Sequence, residues 1–287
     1  MPLFNKDVYS PITLLVNAGR DVPAESSFSN IVRPLWSTIL SDNSEDDTVE
    51  HVHRTGCLFA MLVREALKSN PGWFGIDRDK AKWSEFFQKA DAETLWSIMA
   101  LHDVGKHFID SKILTKPDKL TAQELKIIHR HPIDGAELIS KYLEQCGATS
   151  RFKREHDAAR DIALFHHVSY GNCDNSYPAG IDGMNIPFHA ALAAIADVVD
   201  ALSFKRSYKE AWPIEDVHSY IKSESGKKFH PKAVELTMRC WGLIQEFVRH
   251  HSESHVAEVD KIWRMYYVHL EHKRRALMQT RQDNYYP

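Results

Sequence analysis

Cysteine is scarce in this chain: Cys57, Cys146, Cys173 and Cys240 are the four among 287 residues, and no two form a Cys-x-x-Cys pair. That pattern argues against a disulfide framework and against a thiolate zinc site, so the four read as free thiols. A long apolar run is missing too, and the opening MPLFNKDVYS lacks the basic-then-apolar order of a secretory leader. The expectation is a cytoplasmic protein with no membrane partner. Basic charge is not in surplus: 36 Lys and Arg face 39 Asp and Glu, a net charge of −3. A general nucleic-acid binder needs a broad basic surface, so no polymeric nucleic acid is expected and any phosphate contact should be local. Gly105-Lys106 has no glycine-rich run before it, which excludes a phosphate-binding loop. Strand-like alternation is also absent.

Helical periodicity is what the chain does have, and with 43% hydrophobic residues it can bury a full core. The expected fold is all-α. Residues 1–45 read as a short N-terminal extension, 46–250 as the catalytic domain, and 251–287 as a C-terminal helix packed on the domain or at a homodimer contact. Within the domain a helix is predicted over 47–67, and another starts at Asp91, an N-cap that sets Leu95, Ile98, Met99 and Leu101 on one face. Leu120-Thr121-Ala122-Gln123-Glu124-Leu125 combines a Thr-x-x-Glu capping box with flanking apolar residues, so a helix begins there and runs to about Arg130. Pro132 then opens the next helix and leaves His131 at the corner. Helices are further predicted over 155–167, through AALAAIADVVDAL, and around 214–224, 231–250 and 254–280, with a long Gly, Asn and Pro-bearing loop at 171–187.

Histidine is abundant, with 17 residues. Two carboxylates also stand in apolar surroundings: Asp197 inside IADVV, and Asp103 in His102-Asp103 at the end of LWSIMAL. An unpaired buried carboxylate costs several kcal/mol, so each should bind a metal, pair with a base or be protonated. Buried acids together with His51, His131 and the adjacent His166-His167 suggest a shared cation. Imidazoles and carboxylates without thiolates suit iron, manganese or zinc better than magnesium or calcium. A water on two such ions loses a proton near neutral pH and can attack a phosphate ester. His107, His129, His189, His218, His250, His251 and His255 read as ordinary surface or core residues.

The ordered set His51, LHDVGK (101–106), RHP (130–132), His166-His167, IADVVDAL (195–202) and RSYK (206–209) resembles the HD-GYP domain, a family of HD-superfamily phosphohydrolases. The resemblance covers roughly residues 47–245 and implies an HD-domain helical bundle with additional C-terminal helices. It further implies hydrolysis of cyclic di-GMP to linear pGpG or GMP by a metal-bridging hydroxide. By position, His51, His102, Asp103, His131, His166, His167 and Asp197 match the family's ligands to two divalent ions, most often Fe or Mn, with Asp103 as the bridge. Asp47 stands where three-metal members carry a longer Glu, which leaves a third ion open. Lys106 matches a lysine on the scissile phosphate and leaving group, and Arg206 and Lys209 match the pair that holds the nucleotide's phosphates. Tyr177 stacks on a guanine or packs the loop.

The loop departs from the family's HHExxDGxGYP. Here two residues are inserted, Val168 replaces the Glu after the histidine pair, and Ser176 replaces the first Gly of GYP. Three readings therefore stay open: a cyclic di-GMP phosphodiesterase; a hydrolase of another cyclic dinucleotide or nucleotide phosphoester; and a catalytically weak cyclic-di-GMP-binding module that meets a signalling protein through 168–187.

Overall fold

AALAAIADVVDAL is apolar almost all round, and a helix of that kind is stable only inside a core. In the computed structural model, which describes residues 27–42, 46–74, 80–171, 173, 175–205 and 210–252, it forms the central helix Phe188–Ser203. The helices in chain order are α1 (Phe28–Asp42), α2 (Asp46–Ser69), α3 (Lys80–Lys89), α4 (Ala92–Ala100), α5 (Ser111–Leu114), α6 (Ala122–Ile128), α7 (His131–Gln145), α8 (Lys153–Phe165), α9 (Phe188–Ser203), α10 (Ile214–Ser223), α11 (Pro231–Arg239) and α12 (Trp241–Ser252). No strand occurs among the described residues, and the fold is all-α, as the periodicity requires. Helix α9 lies between α2 and α8, α7 packs on α8, and α2 on α4. Leu62, Leu95, Ile98, Ile139, Ile162, Leu192 and Ile195 are buried in the bundle.

Local signals place the elements that carry the site. Asp91 caps α4 by accepting from Thr94 N at 2.7 Å, and α4 delivers the apolar run that ends at His102. Thr121 and Glu124 close the expected reciprocal capping box at the start of α6. Helix α6 ends at Ile128, and Pro132 sits in the first turn of α7, so His131 is the first residue of that helix.

Two parts of the organisation differ from the sequence expectation. Inside the stretch read as an extension, α1 buries Phe28, Ile31, Val32 and Leu35, and Tyr142 donates its hydroxyl to Ile31 O at 2.8 Å. Pro34 inside this 15-residue helix, and the turn formers before it, hid the helix in the sequence. The single helix expected over 231–250 is instead two, ending at Arg239 and restarting at Trp241. Thr237 donates its hydroxyl to Ala233 O at 2.7 Å, a back-bond that bends helices, and the break follows within one turn. The chain divides into a unit of Met1–Trp241 and a second of Gly242–Pro287; the described part of the second is helical, with Phe247 and His251 rings 4.0 Å apart. The C-terminal segment 254–280 lies outside the described residues. No described helix is long and apolar enough to cross a membrane.

Candidate metal centre

His102 and Asp103 occupy the turn between α4 and the 3-10 helix Val104–Phe108, and Gly105 lets that turn press onto the start of α7. A Cβ at Gly105 would lie 2.0 Å from His131 O and 2.6 Å from Gly135 N. Only hydrogen fits there, and the contact brings Asp103 against His131.

Six of the seven expected ion-ligand side chains, Asp103 among them, meet around its carboxylate, and His167 adjoins them. On one side, Asp103 Oδ1 is 3.2 Å from His131 Nε2 and 3.7 Å from His166 Nε2. On the other, Asp103 Oδ2 is 3.3 Å from His102 Nε2 and 3.9 Å from His51 Nε2. Asp197 Oδ1 closes the second side, 3.5 Å from His51 Nε2 and 3.9 Å from His102 Nε2. The His167 ring lies 4.0 Å from that of His166 and 5.1 Å from that of His131. Two groups of ligand atoms result, Asp103 with His131, His166 and His167, and Asp103 with His51 and His102; within each, all atoms lie within 4.8 Å of one another. Asp103 belongs to both. The side chain of Asp47, and all of Arg206 and Lys209, lie outside the described residues.

The donor atoms fit cations. His102 Nδ1 faces Met99 O at 2.9 Å, His131 Nδ1 faces Ile128 O at 2.7 Å, and His166 Nδ1 faces Ile162 O at 3.0 Å. A carbonyl only accepts, so each Nδ1 carries the hydrogen, and each Nε2, when unprotonated, turns its lone pair inward. His131 Nε2 and His166 Nε2 consequently point at each other across 3.3 Å. Facing lone pairs repel, and a shared cation relieves them. His102 Nε2 and Asp103 Oδ1 are buried with no hydrogen-bond partner in the protein, a costly arrangement unless something else satisfies them.

Electrostatics favour deprotonated donors on the carboxylates. Burial alone would raise the Asp103 carboxyl, but Lys106 and His102 beside it outweigh that and hold it well below the usual range. Asp197 is likewise held down, burial being overcome by His51 and His102. Burial pushes the His131 and His167 imidazoles down, with neighbouring positive charge adding to the shift of His167, so both stay neutral near pH 7. His102 goes the other way, because Asp103 and Asp197 outweigh its burial.

Asp200 and Arg54 were not anticipated. Asp200, fully buried one turn beyond Asp197, takes His51 Nδ1 at 2.7 Å and Arg54 Nε at 2.5 Å. It orients His51 as the backbone carbonyls orient the other rings. A carboxylate three places past Asp197 in the same apolar helix was the available signal.

An HD domain family model matches residues 62–233, well over half of the chain. The chain belongs to the HD domain family. This HD domain is similar to curated relatives over parts of their length. A 3'3'-cGAMP-specific phosphodiesterase 2 of Vibrio cholerae is 36% identical over 153 residues, 53% of this chain and 27% of the relative. The cyclic di-GMP phosphodiesterase response regulator RpfG of Xanthomonas campestris is 40% identical over 139 residues, 48% of this chain and 34% of the relative. A cyclic di-GMP phosphodiesterase of Vibrio cholerae is 29% identical over 239 residues, 82% of this chain and 45% of the relative. The chain thus spans less than half the length of each of these relatives.

A cleft of about 310 Å³ opens beside the cluster of the HD domain, lined by His51, Lys106, His131, His167, Tyr177 and Asp197 together with Tyr220 and Lys228. Lys106 reaches Asp103 Oδ2 at 2.5 Å. Tyr177 stacks on His129, read from sequence as ordinary, with ring centroids 4.0 Å apart and planes at 9°, and also meets the His167 ring at 4.5 Å and the His131 ring at 6.1 Å. Burial and then the Asp103 and Asp197 charges push its hydroxyl up, so it stays protonated. The altered loop is closed locally: Ser176 Oγ accepts from Ser169 N at 3.0 Å, and Val168 is buried.

Proposed function

We propose that this HD domain is a metal-dependent phosphodiesterase that opens cyclic di-GMP to pGpG or GMP. The observation that carries the reading is the double-sided Asp103 carboxylate, with the Nε2 atoms of His131 and His166 facing one oxygen and those of His51 and His102 the other. In this reading His51, His102 and Asp197 hold one divalent ion, and His131, His166 and His167 the other, with Asp103 between them. Fe or Mn suits this ligand set. When bound, the pair of ions acidifies water and neutralises charge that grows on a phosphoryl oxygen.

The chain's own residues supply the rest. Lys106, beside Asp103 at the cleft edge, takes a phosphoryl oxygen and gives a proton to the departing ribose oxygen. Tyr177, held from one face by His129, keeps its protonated hydroxyl and ring edge on the cleft wall. Arg206 and Lys209 take the nucleotide's phosphates.

A second reading is favoured by the relative specific for 3'3'-cGAMP, whose identity of 36% is close to that of the cyclic di-GMP relatives. In that reading chemistry and ions are unchanged and the preferred substrate carries one adenine. The deciding experiment incubates anaerobically prepared, Fe- or Mn-loaded protein with cyclic di-GMP, 3'3'-cGAMP and cyclic di-AMP, with products resolved by chromatography. Preferred turnover of cyclic di-GMP, abolished in Asp103→Ala, is expected. No turnover of any of the three with metal demonstrably bound would leave a binding module and reject the enzyme reading; preference for 3'3'-cGAMP would select the second.

A further inference from the structure

Lys228 lines the cleft that holds Lys106 and the histidine cluster, yet it comes from the turn between α10 and α11. It is built into position. Tyr170 N donates to Lys228 O at 3.1 Å and Gly171 N to Lys227 O at 2.6 Å, so the backbone just past His166-His167 is tied directly to this turn. The turn closes on itself, with Gly226 N donating to Phe229 O at 2.9 Å and Gly226 in the left-handed region at φ 77°. Gly171 permits the close approach, since a Cβ there would sit 2.7 Å from Gly226 O. Buried Phe229 anchors the far end.

The charge on Lys228 is available. Among the described residues its ammonium has no carboxylate partner; its recorded neighbour is the Phe229 ring, 5.6 Å away. The adjacent Lys227 differs: its side chain is 63% exposed and pairs with Glu224 at 3.8 Å. The other described cation lining the cleft, Lys106, is already engaged by Asp103. One ammonium therefore stands beside Asp103 and a second, without a carboxylate partner among the described residues, on a fixed turn elsewhere in the same cleft. That arrangement suits a ligand with two separated anionic groups.

We infer that Lys228 is a substrate-binding residue that takes the second, non-reacting phosphate of a cyclic dinucleotide and so favours two-phosphate ligands over mononucleotides. The inference rests on reading the cleft as a phosphodiesterase site, and it names which feature of the substrate the cleft selects. It is indifferent to whether the bases are guanine or adenine.

The test measures the Kd of the full chain, metal-loaded, for a slowly hydrolysed bis-phosphorothioate analogue of cyclic di-GMP and for GMP. Wild type is compared with Lys228→Met, Lys228→Gln, Lys228→Arg and, as a nearby charge control, Lys227→Met. Lys228→Met and Lys228→Gln should each weaken the analogue by about tenfold, the size of a lost charge-assisted hydrogen bond. GMP should change by less than about twofold, Lys228→Arg should retain most of the affinity, and Lys227→Met should match wild type. Unchanged analogue affinity in both neutral variants, equal weakening for GMP, equal weakening by Lys227→Met, or no wild-type binding of the analogue would each overturn the inference. Lys228-dependent binding without hydrolysis of cyclic dinucleotides would instead overturn the proposed activity and leave the role of Lys228 standing.

Discussion

His51 differs from the other candidate ligands in what holds it. His102, His131 and His166 turn Nδ1 to backbone carbonyls, whereas His51 depends on the Asp200 side chain, which Arg54 fixes in turn through Nε. A side-chain orienter can be removed by substitution. Asp200→Asn takes one of two carboxylates from the buried Arg54 guanidinium, leaving Glu50 at 2.9 Å, a loss of about 2 kcal/mol, and frees the His51 tautomer. The expected result is a folded protein whose affinity for the ion on the His51 side falls about tenfold or more, read by competitive chelator titration. Unchanged affinity for both ions would show that Asp200 serves stability alone. The Asp200 carboxyl is raised by burial but lowered further by His51 and then Arg54, so it lies below its ordinary value. Its contribution to stability is therefore present above the ordinary carboxylate range, including neutral pH, and is lost as pH falls through that depressed value. The candidate ligands were legible in the sequence because each stood in a short motif or inside an apolar run. Asp200 obeyed the same rule as Asp197 and was passed over; Lys228 could not be read, because only a tertiary contact brings its turn to the cleft.

At the scale of elements, the site depends on how closely the 3-10 turn Val104–Phe108 approaches α7. The Gly105 contact with His131 O and Gly135 N is backbone against backbone, so no side-chain rearrangement can make room for a methyl group. Gly105→Ala should separate the turn from α7 at a cost of about 3 kcal/mol, which for a domain of this size lowers Tm by roughly 6–12 °C. The same shift moves Asp103 away from His131, so metal binding on that side should fall as well. Unchanged Tm and metal affinity would refute the close-packed turn. Helix starts were legible here because caps are local: the Asp91 cap and the Thr121 and Glu124 box form as their residues require. Helix α1 and the break at Cys240 were not, since α1 is held by burial against the bundle and the break follows a single hydroxyl back-bond.

At the scale of the whole molecule, the described helices form an all-α bundle whose separated elements bring their motifs to one cluster. Strands from no other fold are needed to explain it: α2 supplies His51, the α4 turn His102 and Asp103, α7 His131, the end of α8 His166 and His167, and α9 Asp197. Five separated segments converge on one carboxylate, so bound ions should brace the bundle against unfolding. The most direct measurement is anomalous X-ray diffraction from crystals of protein prepared anaerobically with Fe or Mn. Two ions in each chain are expected, both in contact with Asp103, one beside His51, His102 and Asp197 and the other beside His131, His166 and His167. A single ion, none, or two ions that do not share Asp103 would contradict the account.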